Sequence, residues 1–336
     1  MPIPSGDADL AVVVKRLPHG EPTPSDFEVR SLPVPELAEG DALVRTLYLS
    51  IDPYQRGRLR PGPSYAPGVN PGDVMTGETV GEVVASRTHE LAEGDLVVGA
   101  RGWRTYHVVQ PHQVVKLPAE GPSPSTYLGV LGMPGTTAYS GLKDIGQPKR
   151  GETLVVAAAS GAVGSVVGQL AKREGARVVG IAGGPDKCAF VEDVLDFDAS
   201  VDHRAPGFPE ALAAACPHGI DIYFENVGGA VQVAVFALLN DYARVPMCGM
   251  VANYNDTTPA PGPNLGFTIG KRIRIEGFIV SDKPKRFGEW RALAGPWVQQ
   301  GSLRHREDIV EGLENAPQAL IDQLNGRNFG KLLVKA

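Results

Sequence analysis

The sequence predicts an α/β protein in which a doubly wound parallel sheet is joined to a second domain of irregular β-structure. Three observations predict it. From about Leu128 onward, strand-like apolar runs alternate with helical patterns, as in successive βαβ units. Before that point the chain is rich in glycine, proline and short β-like runs, with few long helical periodicities. At 336 residues it is long for one domain and comfortable for two.

In the first region the strand candidates are Leu10–Lys15, Asp41–Leu49, Thr79–Ala85 and Leu96–Ala100, the material of a mostly antiparallel domain. The hexapeptide ELAEGD occurs twice, at Glu36–Asp41 and Glu90–Asp95, each time ahead of an apolar run. It reads as one turn solution used twice, with glycine available for positive φ. Glu78 and Glu82 share a face of an extended stretch, but no partner acid or base accompanies them.

In the second region the strand candidates are Thr153–Ala158, Arg177–Ala182, Ser200–Asp202, Asp221–Glu225, Ala243–Met247 and Arg274–Val280. Lys285–Gln300 follows with the spacing of an amphipathic helix. The chain ends in LLVKA, a strand expected to return to the first domain's sheet.

The stretch Thr153–Lys172 organises this region. A continuous apolar run, suited to a strand buried on both faces, breaks at Ala159-Ser160-Gly161-Ala162-Val163-Gly164 and resumes with helical spacing at Val163, Val166, Val167 and Leu170. The break is a G-x-G-x-x-G loop with alanine in the first glycine's place. Gly161 lets backbone approach a pyrophosphate, Gly164 lets the helix pack close to the strand, and the helix N-terminus faces the phosphates. A purely structural βα turn is the bland alternative; the strand before the loop and Arg177–Ala182 after it favour a dinucleotide site.

An NAD site places Asp or Glu roughly 20 residues past such a loop, on the ribose hydroxyls. Here that point falls on Gly183-Gly184, and Lys187 follows. With no carboxylate to repel a 2′-phosphate and a cation to hold it, NADP(H) is expected over NAD. The competing reading of Lys187 is a solvated lysine at a helix start.

Other classes are set aside on composition. A net charge of −6 argues against nucleic-acid or membrane-surface binding. No apolar run approaches about 18 residues, and the acid-bearing start, MPIPSGDADLAVVVKR, does not read as a signal peptide. Cys188, Cys216 and Cys248 are odd in number and far apart, which suits a reducing, cytoplasmic setting. The histidines are His19, His89, His107, His112, His203, His218 and His305. None pairs with a cysteine at ligand spacing and no C-x-x-C exists, so no metal is expected. Lys271, Arg272 and Arg274 read as a solvated strand edge, Cys248 reads as a packing residue, and no G-x-S-x-G elbow is present.

Several motifs read together in order: YLSIDPYQRGRL (Tyr48–Leu59), GMPGTTAYSGL (Gly132–Leu142), AAASGAVGSVVGQLAK (Ala157–Lys172), GIAGGPDK (Gly180–Lys187), FENVGG (Phe224–Gly229), CGMVANYN (Cys248–Asn255), GFIVSDK (Gly277–Lys283) and NFGKLLVK (Asn328–Lys335). Over nearly the whole chain they resemble the zinc-independent branch of the medium-chain dehydrogenase/reductase superfamily, in particular its prostaglandin, alkenal double-bond and curcumin reductases. The resemblance implies a GroES-like domain over residues 1–125 and 305–336 and a Rossmann NADP-binding domain over residues 126–304. It also implies NADPH-dependent reduction of the C=C bond of α,β-unsaturated aldehydes and ketones, commonly by a homodimer.

Matched position by position, the resemblance gives Gly161, Ala162, Val163 and Gly164 to the pyrophosphate and Lys187 to the 2′-phosphate. His203, in VDHR, stands where relatives usually carry tyrosine, and histidine can still donate to phosphate. Asn226, the loop Cys248, Gly249, Met250, Val251, Ala252, Asn253 and Tyr254, the segment Phe278, Ile279 and Val280, and Asn328 fall on cofactor contacts. Enone reduction builds negative charge on the carbonyl oxygen and later needs a proton at the α-carbon. No histidine falls in the nicotinamide-side motifs. Tyrosine hydroxyls, neutral near pH 7 and good donors, are the candidates that remain. Tyr254 matches the family's catalytic tyrosine; Tyr54 and Tyr65 match tyrosines that shape the substrate cleft. A quinone reductase of the same superfamily and a non-catalytic NADPH-binding protein are the competing functions.

Overall fold

The structure, a computed structural model, describes residues 8–336. The first seven residues of the acid-bearing start, and of the first domain as bounded above, lie outside that range. The chain divides into two compact units, residues 8–129 with Glu307–Ala336, and Val130–Arg306.

The first unit opens with β1 (Asp9–Val14), β2 (Phe27–Leu32), β3 (Ala42–Ser50), the single turn α1 (Gln55–Arg58), β4 (Glu78–Ser86), β5 (Leu96–Arg101), β6 (Tyr106–Val109) and β7 (Val115–Lys116). Strands β1 and β2 form an antiparallel pair of their own, and β3–β4–β5–β7 run antiparallel, with β6 also on β3. Both ELAEGD segments do fold as the same turn. Gly40 and Gly94 take φ of 88° and 87°. The Asp41 and Asp95 carboxylates accept the Ala38 and Ala92 amides at 3.1 and 2.8 Å. Trp103 stacks on Phe27 at 5.9 Å in a core shared with Leu49, Ile51 and Leu59.

The second unit contains α2 (Met133–Gly141), β8 (Thr153–Ala157), α3 (Gly164–Arg173), β9 (Arg177–Ala182), α4 (Pro185–Ala189), β10 (Ala199–Asp202), α5 (Phe208–Ala215), β11 (Ile220–Phe224), α6 (Gly229–Ala237), β12 (Leu239–Met247), α7 (Phe267–Lys271), β13 (Arg274–Gly277) and α8 (Lys285–Gln299). All six strands are parallel, in the order β10-β9-β8-β11-β12-β13. The order reverses between β8 and β11, the switch point at which doubly wound sheets bind ligands. Every residue of β8 is buried, as its continuous apolar run requires. Helix α8 buries Trp290, Ala294 and Val298 at four-residue spacing, and the Trp290 indole donates to the Val130 carbonyl at 2.7 Å.

Two expected strands change their limits. Arg274–Val280 ends at Gly277, because β12, its neighbour among the described residues, ends at the facing Met247 and offers Phe278 no ladder partner. Strand β12 begins four residues before Ala243, at the buried Leu239, and runs through half-buried Asn240 and exposed Asp241 and Tyr242, which break the apolar run.

The tail returns to the first unit through β14 (Glu307–Glu311), α9 (Ala316–Leu324) and β15 (Lys331–Lys335). Strand β15 lies antiparallel to β3 and parallel to β14, so LLVKA does close the first sheet. Lys331 is buried there. Its ammonium donates to Asp52 Oδ1 and to the Ile51 carbonyl, both at 2.7 Å. Among the described residues no helix is long and apolar enough to cross a membrane.

Candidate active site

The glycine loop leaves the end of β8 and enters α3 with no room for a side chain at Gly164. A Cβ there would lie 2.3 Å from the Ala158 carbonyl oxygen and 2.9 Å from Ala159 Cα. One at Gly161 would sit 3.1 Å from the same oxygen. Ala159, the departure from the glycine pattern, is buried, and its methyl has a complement: a Cβ on Gly180 of β9 would come within 2.8 Å of it. The loop thus keeps the close backbone approach that a pyrophosphate cradle needs. Gly164→Ala forces backbone to move and is expected to cost about 1–3 kcal/mol of stability. It should also weaken NADPH binding in a fluorescence titration; wild-type affinity and melting temperature together would contradict this seating of the helix.

At the end of β9, Gly183-Gly184 leads into α4, which carries Lys187, and His203 from the end of β10 lies over Gly183. Asp202 clamps the corner, its Oδ1 accepting the amides of Gly184 and Arg204, each at 2.9 Å. Those two amides hold the Asp202 carboxyl below its usual range. A Cβ on Gly183 would lie 2.9 Å from Arg204 Nε and 3.0 Å from His203 Nε2. Desolvation by surrounding atoms, then Arg204, lowers the His203 pKa; Lys187 adds to this and Asp202 opposes it. This disfavours the charged form of His203, whose side chain lies exposed at the corner.

On the other side of the switch point, Glu225 organises the turn after β11. Its buried Oε1 accepts the amides of Val227 and Gly228 at 2.7 and 2.9 Å and the Tyr223 hydroxyl at 2.8 Å. Burial raises its pKa, and those donors oppose the rise. The Asn226 amide donates to the Ala157 carbonyl at 2.9 Å, tying this turn to the end of β8. The loop after β12 is then fastened along the same turn. Cys248 and Gly249 amides donate to the Glu225 carbonyl at 3.0 and 3.1 Å, Val251 to Asn226 at 3.2 Å, and Ala252 to Val227 at 2.9 Å.

Tyr254 ends this loop half-buried, its hydroxyl 2.9 Å from where a Cβ on Gly249 would stand. Burial, then the nearby Glu225, pushes the Cys248 thiol up to about 12, so it stays protonated and serves packing. The Phe278 ring meets Phe224 edge-on at 6.2 Å, and Ile279 and Val280 lie half-buried beside it.

The second unit thus collects Gly161–Gly164, Asn226 and Cys248–Tyr254 at the C-terminal ends of β8, β11 and β12, with Lys187 and His203 at those of β9 and β10. Tyr54, Tyr65 and Asn328 belong to the first unit. There Arg58 gathers both tyrosines: its guanidinium carbon lies 4.3 Å from the Tyr65 ring centre and 5.5 Å from that of Tyr54. Tyr65 is 61 % exposed, while burial raises the Tyr54 phenol pKa. Asn328 donates to the Gly330 carbonyl at 2.9 Å in the turn before β15.

Among the described residues no three His, Cys, Asp or Glu side chains are grouped to hold a metal ion. His107 is buried in β6, where desolvation and Arg104 push it down to about 4 and Asp9 opposes them. Lys271, Arg272 and Arg274 lie at the edge of the sheet, Arg272 paired with Asp241 and Arg274 with Glu276. Sequence reasoning missed Arg204, adjacent to a residue it chose, and the Glu225 hub, whose role depends on amides from two separate loops.

Comparison with known proteins matches residues 11–117 to the family model "N-terminal domain of oxidoreductase" and residues 162–299 to "Zinc-binding dehydrogenase". The chain is 50 % identical over 329 residues to NADPH-dependent curcumin reductase of Escherichia coli, covering 96 % of this chain and 95 % of that protein. It is 41 % identical to the NADP(+)-dependent 2-alkenal reductase of Nicotiana tabacum, covering 96 % of each. The crystal structure of CurA from Vibrio vulnificus in complex with NADPH superposes with a TM-score of 0.93 at 47 % identity, covering 97 % of this chain and 99 % of that one.

Proposed function

The chain belongs to the zinc-independent medium-chain dehydrogenase/reductase family, and on that premise we propose that it uses NADPH to reduce the C=C bond of α,β-unsaturated aldehydes and ketones. One observation carries the reading: the loop bearing Tyr254 is fastened by four backbone hydrogen bonds to the Glu225–Val227 turn, beside the glycine loop. Relatives named for curcumin and 2-alkenals, and a neighbour crystallised with NADPH, support the substrate class and the cofactor.

When bound, NADPH supplies a hydride, here to the β-carbon of the conjugated carbonyl. In this proposal Gly161, Ala162, Val163 and Gly164 hold the pyrophosphate with backbone and a helix N-terminus. Lys187 and His203 hold the 2′-phosphate. Asn226, Cys248–Tyr254 and Phe278–Val280 hold the nicotinamide half, and Asn328 adds a contact from the tail. The Tyr254 hydroxyl donates to the carbonyl oxygen, where charge grows as the enolate forms, and passes a proton toward the α-carbon. Cys248 is a poor acid for that task, with its thiol held at about 12. Tyr54 and Tyr65 face the substrate; their support is the match of DPYQR and SYAP to the family.

The enzyme is further proposed to act as a cytoplasmic homodimer, on family membership and its widely spaced, unpaired cysteines. The test is NADPH oxidation across 2-alkenals, enones such as curcumin, quinones and saturated aldehydes. Turnover of alkenals and enones with saturated carbonyl products is expected. Turnover of quinones alone would replace the proposal with a quinone reductase, and tight NADPH binding without any turnover would replace it with a binding protein.

A further inference from the structure

We infer that Arg204 determines cofactor specificity: with His203 it fills the place where an NAD site carries its ribose-binding carboxylate, and its guanidinium binds the 2′-phosphate of NADPH. The inference rests on the NADPH reading above and adds a residue to it.

The end of the second strand is where an NAD-type site presents Asp or Glu to the adenosine ribose. In this protein that position is Gly183, directly after β9. Its missing side chain is a consequence of its neighbours. A Cβ would stand 2.9 Å from Arg204 Nε, 3.1 Å from Arg204 Cζ and 3.0 Å from His203 Nε2. A carboxylate grafted there would have to displace both side chains. Nor is Arg204 placed by chance. The His203 amide donates to the Ala182 carbonyl at 3.0 Å, and Asp202 grips the amides of Arg204 and Gly184 together, each at 2.9 Å. The backbone carrying the arginine is thus pinned to the loop that it overhangs.

Charge points the same way. A phosphate monoester carries about −1.5 to −2 at pH 7. Lys187 and Arg204 are the lysine and arginine at this corner, and the Asp202 carboxylate beside them is engaged by the Gly184 and Arg204 amides. A guanidinium also offers a planar fork of donors matched to phosphate oxygens, which an imidazole lacks. This chain thus sets an imidazole and, from the next residue, a guanidinium over Gly183.

The experiment titrates the full-length protein and its Arg204→Ala and Arg204→Lys variants with NADPH, NADH, 2′,5′-ADP and 5′-ADP, followed by calorimetry. Arg204→Ala is expected to raise the Kd for NADPH and 2′,5′-ADP about tenfold or more, the scale of one charge-assisted hydrogen bond lost. Affinity for NADH and 5′-ADP should change less than about twofold on the same scale, and Arg204→Lys should recover part of the loss. Arg204 is exposed, so the fold is expected to survive, and circular dichroism checks this. Wild-type affinity of Arg204→Ala for 2′,5′-ADP, or equal weakening of all four ligands, overturns the inference alone. An unmodified protein with no preference for NADPH over NADH overturns the cofactor reading, and the inference with it.

Discussion

Tyr254→Phe is expected to lower kcat for a 2-alkenal about 100-fold or more, the usual worth of a positioned acid, while leaving the Kd for NADPH unchanged. The split between the two readouts follows from the geometry. What fastens the Cys248–Tyr254 loop is backbone: the amides of Cys248, Gly249, Val251 and Ala252 bond to carbonyls of the Glu225–Val227 turn. Removing one phenolic oxygen leaves those bonds in place, so the cofactor side persists. On the proposed role, what disappears is the donor to an oxygen that gains charge only as the reaction proceeds. The neighbouring Cys248 does not replace it, since burial and Glu225 keep its proton on to about pH 12. Steady-state kinetics with an NADPH titration of the same variant check this. A near-wild-type kcat would move the proton source to water or to the cofactor's ribose.

The second large effect concerns stability. Lys331→Met is expected to destabilise the protein by about 3–5 kcal/mol, because removing one partner of a buried ion pair strands the other. Both side chains are almost wholly covered, Lys331 at 3 % and Asp52 at 6 % exposure. The ammonium also satisfies the Ile51 carbonyl, and the Ser50 hydroxyl donates to the second Asp52 oxygen. The pair ties β15 to the end of β3 and the start of the DPYQR turn, where the Asp52 amide donates to Gln55 Oε1 at 3.0 Å. Adding Asp52→Asn to Lys331→Met should recover part of the loss, since the stranded charge is then gone. Urea unfolding of the single and double variants measures this. A loss below about 1 kcal/mol for the single variant would mean water reaches Asp52 and screens it.

The parts of the fold visible in the sequence are those where local pattern and tertiary role coincide. Strand β8 is apolar throughout because both of its faces are covered, so its run announced it. The ELAEGD turns were readable because glycine and aspartate act within the hexapeptide itself. The tail strand shows in LLVKA because its apolar residues Leu332, Leu333 and Val334 are all buried. Strand β14 and the first half of β12 are harder to read, because Ile309 and Val310 in one and Leu239 in the other are too few apolar residues among polar ones to mark a strand. The end of β13 at Gly277 was likewise invisible, being set by where its neighbour stops.

At the site, the glycine loop and the missing carboxylate at Gly183-Gly184 are local features, and physical reasoning reached them. The alanine at position 159 departs from the glycine pattern, and Gly180, on the next strand, supplies the space for its methyl. Tyr254 came only from resemblance to a family, since nothing local marks it among the nine tyrosines. Its environment is made by long-range amide contacts from the Glu225 turn. Arg204 escaped because its meaning depends on overhanging a glycine about twenty residues earlier, a relation that strand pairing creates.

Hydride is proposed to pass to the β-carbon of a conjugated carbonyl, not to the carbonyl carbon. The direct measurement uses NADPH labelled with deuterium at the transferred position of ring carbon C4 and a 2-alkenal as substrate, with the product read by NMR. The expected product is a saturated aldehyde carrying one deuterium on its β-carbon. Deuterium on the former carbonyl carbon of an allylic alcohol would contradict it.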